Sequence, residues 1–182
     1  DLQIVRDFIA QGKPVIGIRT ASHAFSLRNQ SPTDGLAAWS EFDAEVFGGS
    51  YTNHYGNDLE TTLSVVADAS QHPILQALGQ TSLTTAGSLY KTAPLAPGAQ
   101  VLLTGSVDEK PSEPVAWTFV RAEGGRSFYT SLGHPKDFDQ PAFMALLSAG
   151  IHWACGVAPH GIDEVVAQEQ RFVQHSPVAT TQ

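Results

Sequence analysis

The 182-residue chain, 42% hydrophobic and 15% charged with a formal charge of -8, is long enough for one well-packed core and too short for two ordinary domains. Its 10 Lys and Arg are scattered rather than clustered, which excludes a nucleic-acid footprint built on a basic face and suits a neutral or polar small molecule. A single cysteine excludes an internal disulfide framework, and no run approaches the about 18 apolar residues of a membrane-spanning helix.

Leu2, Val5, Phe8 and Ile9 at helical spacing predict an opening amphipathic helix, with Asp1 as its cap. A doubly wound fold ordinarily opens on a strand, so this start predicts a fragment or processed form whose missing N-terminal strands belong to the same sheet. Residues 14–18 are short, β-branched and apolar, the signature of a central parallel strand. A short helix is expected near 35–42, before a Gly-Gly turn at Gly48 and Gly49. Residues 61–66 read as a strand, and 72–78 as a short helix opened by Pro73. Two prolines and a glycine make 90–98 a loop, and 101–104 is a strand.

Residues 115–120 and 127–131 flank Glu123-Gly124-Gly125, a β-hairpin signal. From 140 to 155 a helix is expected, with Phe143, Leu146, Leu147, Ile151 and Ala154 on its apolar face, packing beside the His134 loop. Ile162, Val165, Val166, Glu169, Phe172 and Val173 predict a last amphipathic helix that either covers the core or forms a homo-oligomer contact, followed by a polar tail from Gln174. The reading is therefore one α/β domain over 1–158 and a C-terminal helix and tail over 159–182.

Chemistry is expected at the carboxyl ends of strands, where open α/β sheets bind ligands. Arg19 leaves the strand at 14–18, and a guanidinium beside a buried strand requires an acid or an anionic partner. It either polarises a keto oxygen or enediolate, or is neutralised by a structural acid such as Asp58 or Asp137. His23, four residues on, either faces the same crevice or caps the following helix. His54 sits among Tyr51, Asn53 and Tyr55, whose aromatic and amide groups suit sugar hydroxyls or simple packing. His134 precedes Pro135 after a strand and is either a site residue or a turn histidine bonded to backbone. His23, His54 and His134 also offer a three-histidine site for a divalent metal such as zinc, although no local metal signature is present. His72, His152, His160 and His175 are not expected to act.

Gly17-Ile18-Arg19-Thr20-Ala21-Ser22-His23 resembles the nucleophile elbow of class I glutamine amidotransferases, with Arg19 where that family carries its catalytic cysteine. Residues 129–136 resemble the late strand of the same superfamily that ends in His-Pro-Glu; His134 holds the catalytic-histidine position and Lys136 that of the acid. Glutaminase chemistry requires a thiolate, a base and an orienter, and the only cysteine, Cys155, lies in a distant helical pattern. Glutamine hydrolysis is therefore not expected.

Along most of its length the chain is similar to the ThuA-like, or trehalose utilisation, branch of that superfold. The carrying segments are 17–25, 47–54, 72–78, 88–90 and 126–134. The resemblance implies a flavodoxin-like, mostly parallel sheet flanked by helices, and a role in sugar breakdown alongside dehydrogenases that oxidise the sugar to a keto form. The expected function is acid–base chemistry on a keto sugar or glycoside, as an isomerase, lyase or hydrolase. In it His134 and His23 exchange protons with the substrate, Asp137 orients His134, and Arg19 stabilises oxyanion charge; Tyr51, Asn53, His54 and Tyr55 orient hydroxyls. The alternative is a non-catalytic module that binds a sugar or a partner chain on a degenerate amidotransferase scaffold.

Overall fold

The computed structural model describes residues 2–27, 30–79, 82–161, 163–164 and 166–167. Among the described residues seven strands form two sheets: β1 (Val15–Ile18), β2 (Asn53–His54), β3 (Thr62–Val65), β4 (Tyr90–Lys91), β5 (Gln100–Ser106), β6 (Glu113–Val120) and β7 (Arg126–Thr130). Five of them make the central sheet, in the order β1-β7-β6-β5-β3, while β2 and β4 form a separate two-stranded ribbon.

The strands alternate between two cores with the period of two that a pleated sheet imposes. Ala116 and Phe128 point to one face, where they pack with α3 (Pro73–Leu78) and α4 (Pro141–Ala154). Their neighbours Trp117 and Tyr129 point to the other, against α1 (Leu2–Ala10) and α2 (Phe42–Phe47). Helices thus cover both faces. Trp117, Phe128, Tyr129 and Phe143 are fully buried, and each burial of this kind stabilises the fold by about 1.5–3 kcal/mol relative to an exposed ring. The Trp117 indole N–H donates to the Phe47 carbonyl at 2.7 Å, tying the end of α2 to the sheet.

The sheet is mixed rather than mostly parallel. Only β1 and β7 run parallel, while β7–β6, β6–β5 and β5–β3 are antiparallel. For β5–β6 and β6–β7 the reason is connection length: residues 107–112 and 121–125 are tight links, whereas a parallel crossover needs about a dozen residues or more. The expected hairpin at 115–131 is present as β6 and β7, and Pro73 opens α3 with the His72 ring nitrogen accepting from the Ile74 amide at 3.3 Å.

Two helical expectations shift. The helix expected near 35–42 is absent; the chain turns at Gly35, which has a φ of 81°, and α2 begins only at Phe42. It ends at Gly48, whose φ of 69° supplies the left-handed cap that a side chain disfavours. On α4, Phe143, Leu146, Leu147 and Ala154 are buried as expected, but Ile151 is exposed. Much of the helix circumference is buried, with Gly150 pressed against the Phe128 ring, so a single apolar stripe does not describe it. The proposed Asp1 cap and most of the C-terminal helix and tail, including Ile162, Val165 and 168–182, lie outside the described residues.

Candidate functional site

Because β1 and β7 are parallel and in register, Ile18 opposite Thr130, the turn that follows β1 and the loop that follows β7 emerge at the same end of the sheet. Gly133 is the point of contact: a Cβ there would fall 2.6 Å from Ile18 and 4.0 Å from the Arg19 Cβ. Arg19 and His134 therefore occupy neighbouring loops at one strand end.

Arg19 opens the short 3-10 turn Arg19–His23 with a φ of 49°, a left-handed conformation uncommon for a side-chain-bearing residue. The turn is fastened from below. The buried Tyr129 hydroxyl donates to the Arg19 carbonyl at 2.6 Å, and the Ser22 hydroxyl donates to the same carbonyl at 3.4 Å. Burial pushes the Tyr129 phenol above its ordinary range, so it stays a neutral donor.

The guanidinium is held by neutral groups. One terminal nitrogen donates to the Ser131 carbonyl at 3.3 Å and the other to the Ser88 hydroxyl at 3.4 Å. Its carbon lies 4.7 Å from the centre of the Tyr90 ring, a cation–π contact. Gly87 leaves the space it needs, since a Cβ there would fall 2.6 Å from a guanidinium nitrogen. Among the described residues Arg19 forms no ion pair, with Asp58 or Asp137 or any other acid.

Tyr90 gathers the rest. Its ring lies 4.4 Å from that of Tyr51 and 6.5 Å from that of His54, while Tyr51 also approaches His23 at 4.9 Å and His54 at 6.4 Å. The structure thus brings Arg19, His23, Tyr51 and His54 into one aromatic and imidazole cluster. Asn53 accepts the His54 amide at 2.8 Å and shapes that strand; Tyr55 instead stacks under the Lys91 ammonium at 4.4 Å. Sequence reasoning missed Gly87, Ser88 and Tyr90 as site residues. The available signal was the segment 88–90, which carried part of the family resemblance, but the prolines and glycine at 90–98 masked the strand.

Two expected site residues are engaged in holding the fold. The His134 Nδ1 accepts the Lys136 amide at 3.2 Å, capping the following turn Pro135–Asp139. Asp137 is wholly buried and accepts from the Gly133 and His134 amides on one loop and from the Thr85 hydroxyl and Ala86 amide on another. It positions both loops rather than orienting the His134 ring. Nor do His23, His54 and His134 converge as metal donors: among the described residues no group of three or more His, Cys, Asp or Glu is placed to hold an ion.

These bonds assign complementary proton states to two rings. An imidazole nitrogen facing a carbonyl must carry hydrogen, and the His54 Nδ1 lies 2.7 Å from the Tyr55 carbonyl, leaving Nε2 of the neutral ring as an acceptor. His134 has the reverse arrangement, with Nδ1 accepting and Nε2 as the donor.

Among solved structures, the chain is similar to a cold-adapted beta-galactosidase from Rahnella sp. R3, at 14% identity and a TM-score of 0.54. The likeness covers 87% of this chain but 21% of that one, and at such identity it is a likeness of fold. No curated protein sequence matches the chain. No helix among the described residues is long and apolar enough to cross a membrane. A family model described as trehalose utilisation, ThuA, matches residues 2–154, and the chain belongs to that family.

Proposed function

We propose that this chain binds a carbohydrate at the carboxyl end of β1 and acts on an oxidised, keto form of a sugar or glycoside by acid–base chemistry. The observation that carries the reading is Arg19: a cation without an acid partner among the described residues, seated on Tyr90 beside His23, Tyr51 and His54. A guanidinium in that place stabilises negative charge as it develops on a keto oxygen. The exposed His54 Nε2 takes the proton from the carbon beside that carbonyl, and its return, or its delivery to a leaving oxygen, completes an isomerisation or an elimination. Tyr51 and Tyr90 supply the ring faces on which sugars stack, and the family membership supports the substrate class. The flavodoxin-like ancestry expected from the sequence fits a sheet with helices on both faces.

The engagement of His134 and Asp137 in loop structure favours a second reading, a non-catalytic sugar-binding module. Titration and turnover assays on the intact protein with keto-disaccharides and their parent sugars, with and without chelator, separate the two. The variants are His54→Gln and His134→Asn, the latter retaining a capping side chain. Turnover that falls at least about a hundredfold in His54→Gln, with binding retained, supports the enzyme, since general acid–base catalysis contributes that much or more. Binding without turnover in every sample establishes the module.

A further inference from the structure

We propose that the carbohydrate taken by this site carries a fixed negative charge, a carboxylate or a phosphate group, that docks on Arg19. The inference rests on the carbohydrate-binding part of the reading above and makes a fixed anion, in place of the keto oxygen, the partner of Arg19. An arginine side chain is charged at any physiological pH and presents five N–H donors. Only two of those donors have partners among the described residues, and both partners are neutral oxygens at 3.3 and 3.4 Å, long for a charge-assisted bond. Arg19 is half-buried, and Nε, the one guanidinium nitrogen without a partner among the described residues, is not among the buried orphans of the fold.

The three buried acids among the described residues have partners of their own, and Asp43 accepts the Ala44 amide at 3.1 Å. Asp137 meets four donors of two loops, and Glu113 accepts the Thr92 and Ala93 amides at 2.8 and 2.9 Å. The Tyr90 ring, 4.7 Å from the guanidinium carbon, attracts the cation without neutralising it, and Gly87 leaves the space that the guanidinium fills. A planar fork, charged and without a counter-ion among the described residues, is the arrangement that takes two oxygens of a carboxylate or phosphate side by side. The chain's formal charge of -8 gives no long-range attraction for an anion, so discrimination has to come from contact with this one group.

The test is calorimetric titration of the intact protein with three matched ligands: methyl glucoside, methyl glucuronide and methyl glucoside 6-phosphate. Wild type, Arg19→Met and Arg19→Lys are compared, with circular dichroism to confirm that each variant folds. The expected result is that one or both anionic ligands bind about ten- to a hundredfold more tightly than the neutral glucoside, the range of a hydrogen bond to a charged group. The preference disappears in Arg19→Met and survives in part in Arg19→Lys, which also answers for the fold should the methionine variant fail. The glucuronide and phosphate arms identify which anion is the natural one. Equal binding of neutral and anionic ligands overturns the charge inference and leaves the carbohydrate reading standing; binding of none overturns the charge inference, and the carbohydrate reading falls with it when the keto-disaccharides also fail to bind. A preference that persists in Arg19→Met places the anion elsewhere and also overturns the inference.

Discussion

His54 is the register partner of Tyr90 across the two-stranded ribbon, so the strand that carries the aromatic platform beneath Arg19 also sets the place of the imidazole. Two residues 36 positions apart in sequence are thereby a single unit of the site.

Tyr90→Phe keeps the ring under Arg19 and is expected to leave sugar binding within about twofold, because cation–π attraction comes from the ring face. Tyr90→Leu removes that face from Arg19, Tyr51 and His54 at once. Its binding should fall about tenfold, the size of an aromatic or cation–π contact of 0.5–2 kcal/mol. Titration of both variants against the sugar that binds wild type measures the difference.

Two glycines next to the same turn should behave in opposite ways. At Gly87 an added methyl meets the movable end of Arg19, so Gly87→Ala should cost less than about 1 kcal/mol of stability while weakening ligand binding severalfold. At Gly17, inside β1, it meets the rings of Phe47 and Tyr129 at 2.5 and 2.7 Å in a packed core. Gly17→Ala should cost about 1–3 kcal/mol by overpacking. Urea unfolding of the two variants checks the contrast.

Asp137→Ala leaves two amides of the 133–134 loop, one amide at Ala86 and the Thr85 hydroxyl without their acceptor. At about 1–3 kcal/mol for each group that stays buried and unsatisfied, a total loss of 3 kcal/mol or more is expected. Asp137→Asn retains one acceptor oxygen and should lose less. Thermal melts order the three proteins.

His72 gives the fold a pH dependence of known sign. Burial lowers its pKa below the ordinary 6.5, so the unfolded chain binds the proton more readily than the folded one. Its contribution to stability is present above 6.5, declines as pH falls from there to the folded value, and is flat below it. His72→Asn keeps an acceptor for the Ile74 amide and should remove this part of the slope. Melting temperatures of wild type and variant across that window test it; parallel curves would refute the assignment to His72.

Much of this architecture was readable from local pattern. The strand at 14–18, the hairpin around Gly124, the Pro73 helix and the helix at 140–155 all follow from local signals: apolar runs and spacing, turn glycines and a proline at a helix start. Strand direction did not, because it was taken from the family resemblance rather than from the short links at 107–112 and 121–125. Arg19, His23, Tyr51 and His54 were singled out and do lie together, whereas Tyr90 escaped because a two-residue strand has too little pattern to register. His134 was assigned by analogy to a family position, and Asp137 by its place one residue beyond the family's acid position. Local chemistry accounts for both better: a histidine before proline caps its turn, and an aspartate three residues on closes the capping box.

The Tyr129 hydroxyl on the Arg19 carbonyl has a kinetic consequence. The left-handed turn is anchored to the fully buried Tyr129 of β7, so it holds its shape whether or not a ligand is present. A site assembled in advance does not wait for a rearrangement. Association should then proceed in one step at a rate proportional to ligand concentration, with no plateau, and affinity differences among sugars should reside in how slowly each one leaves.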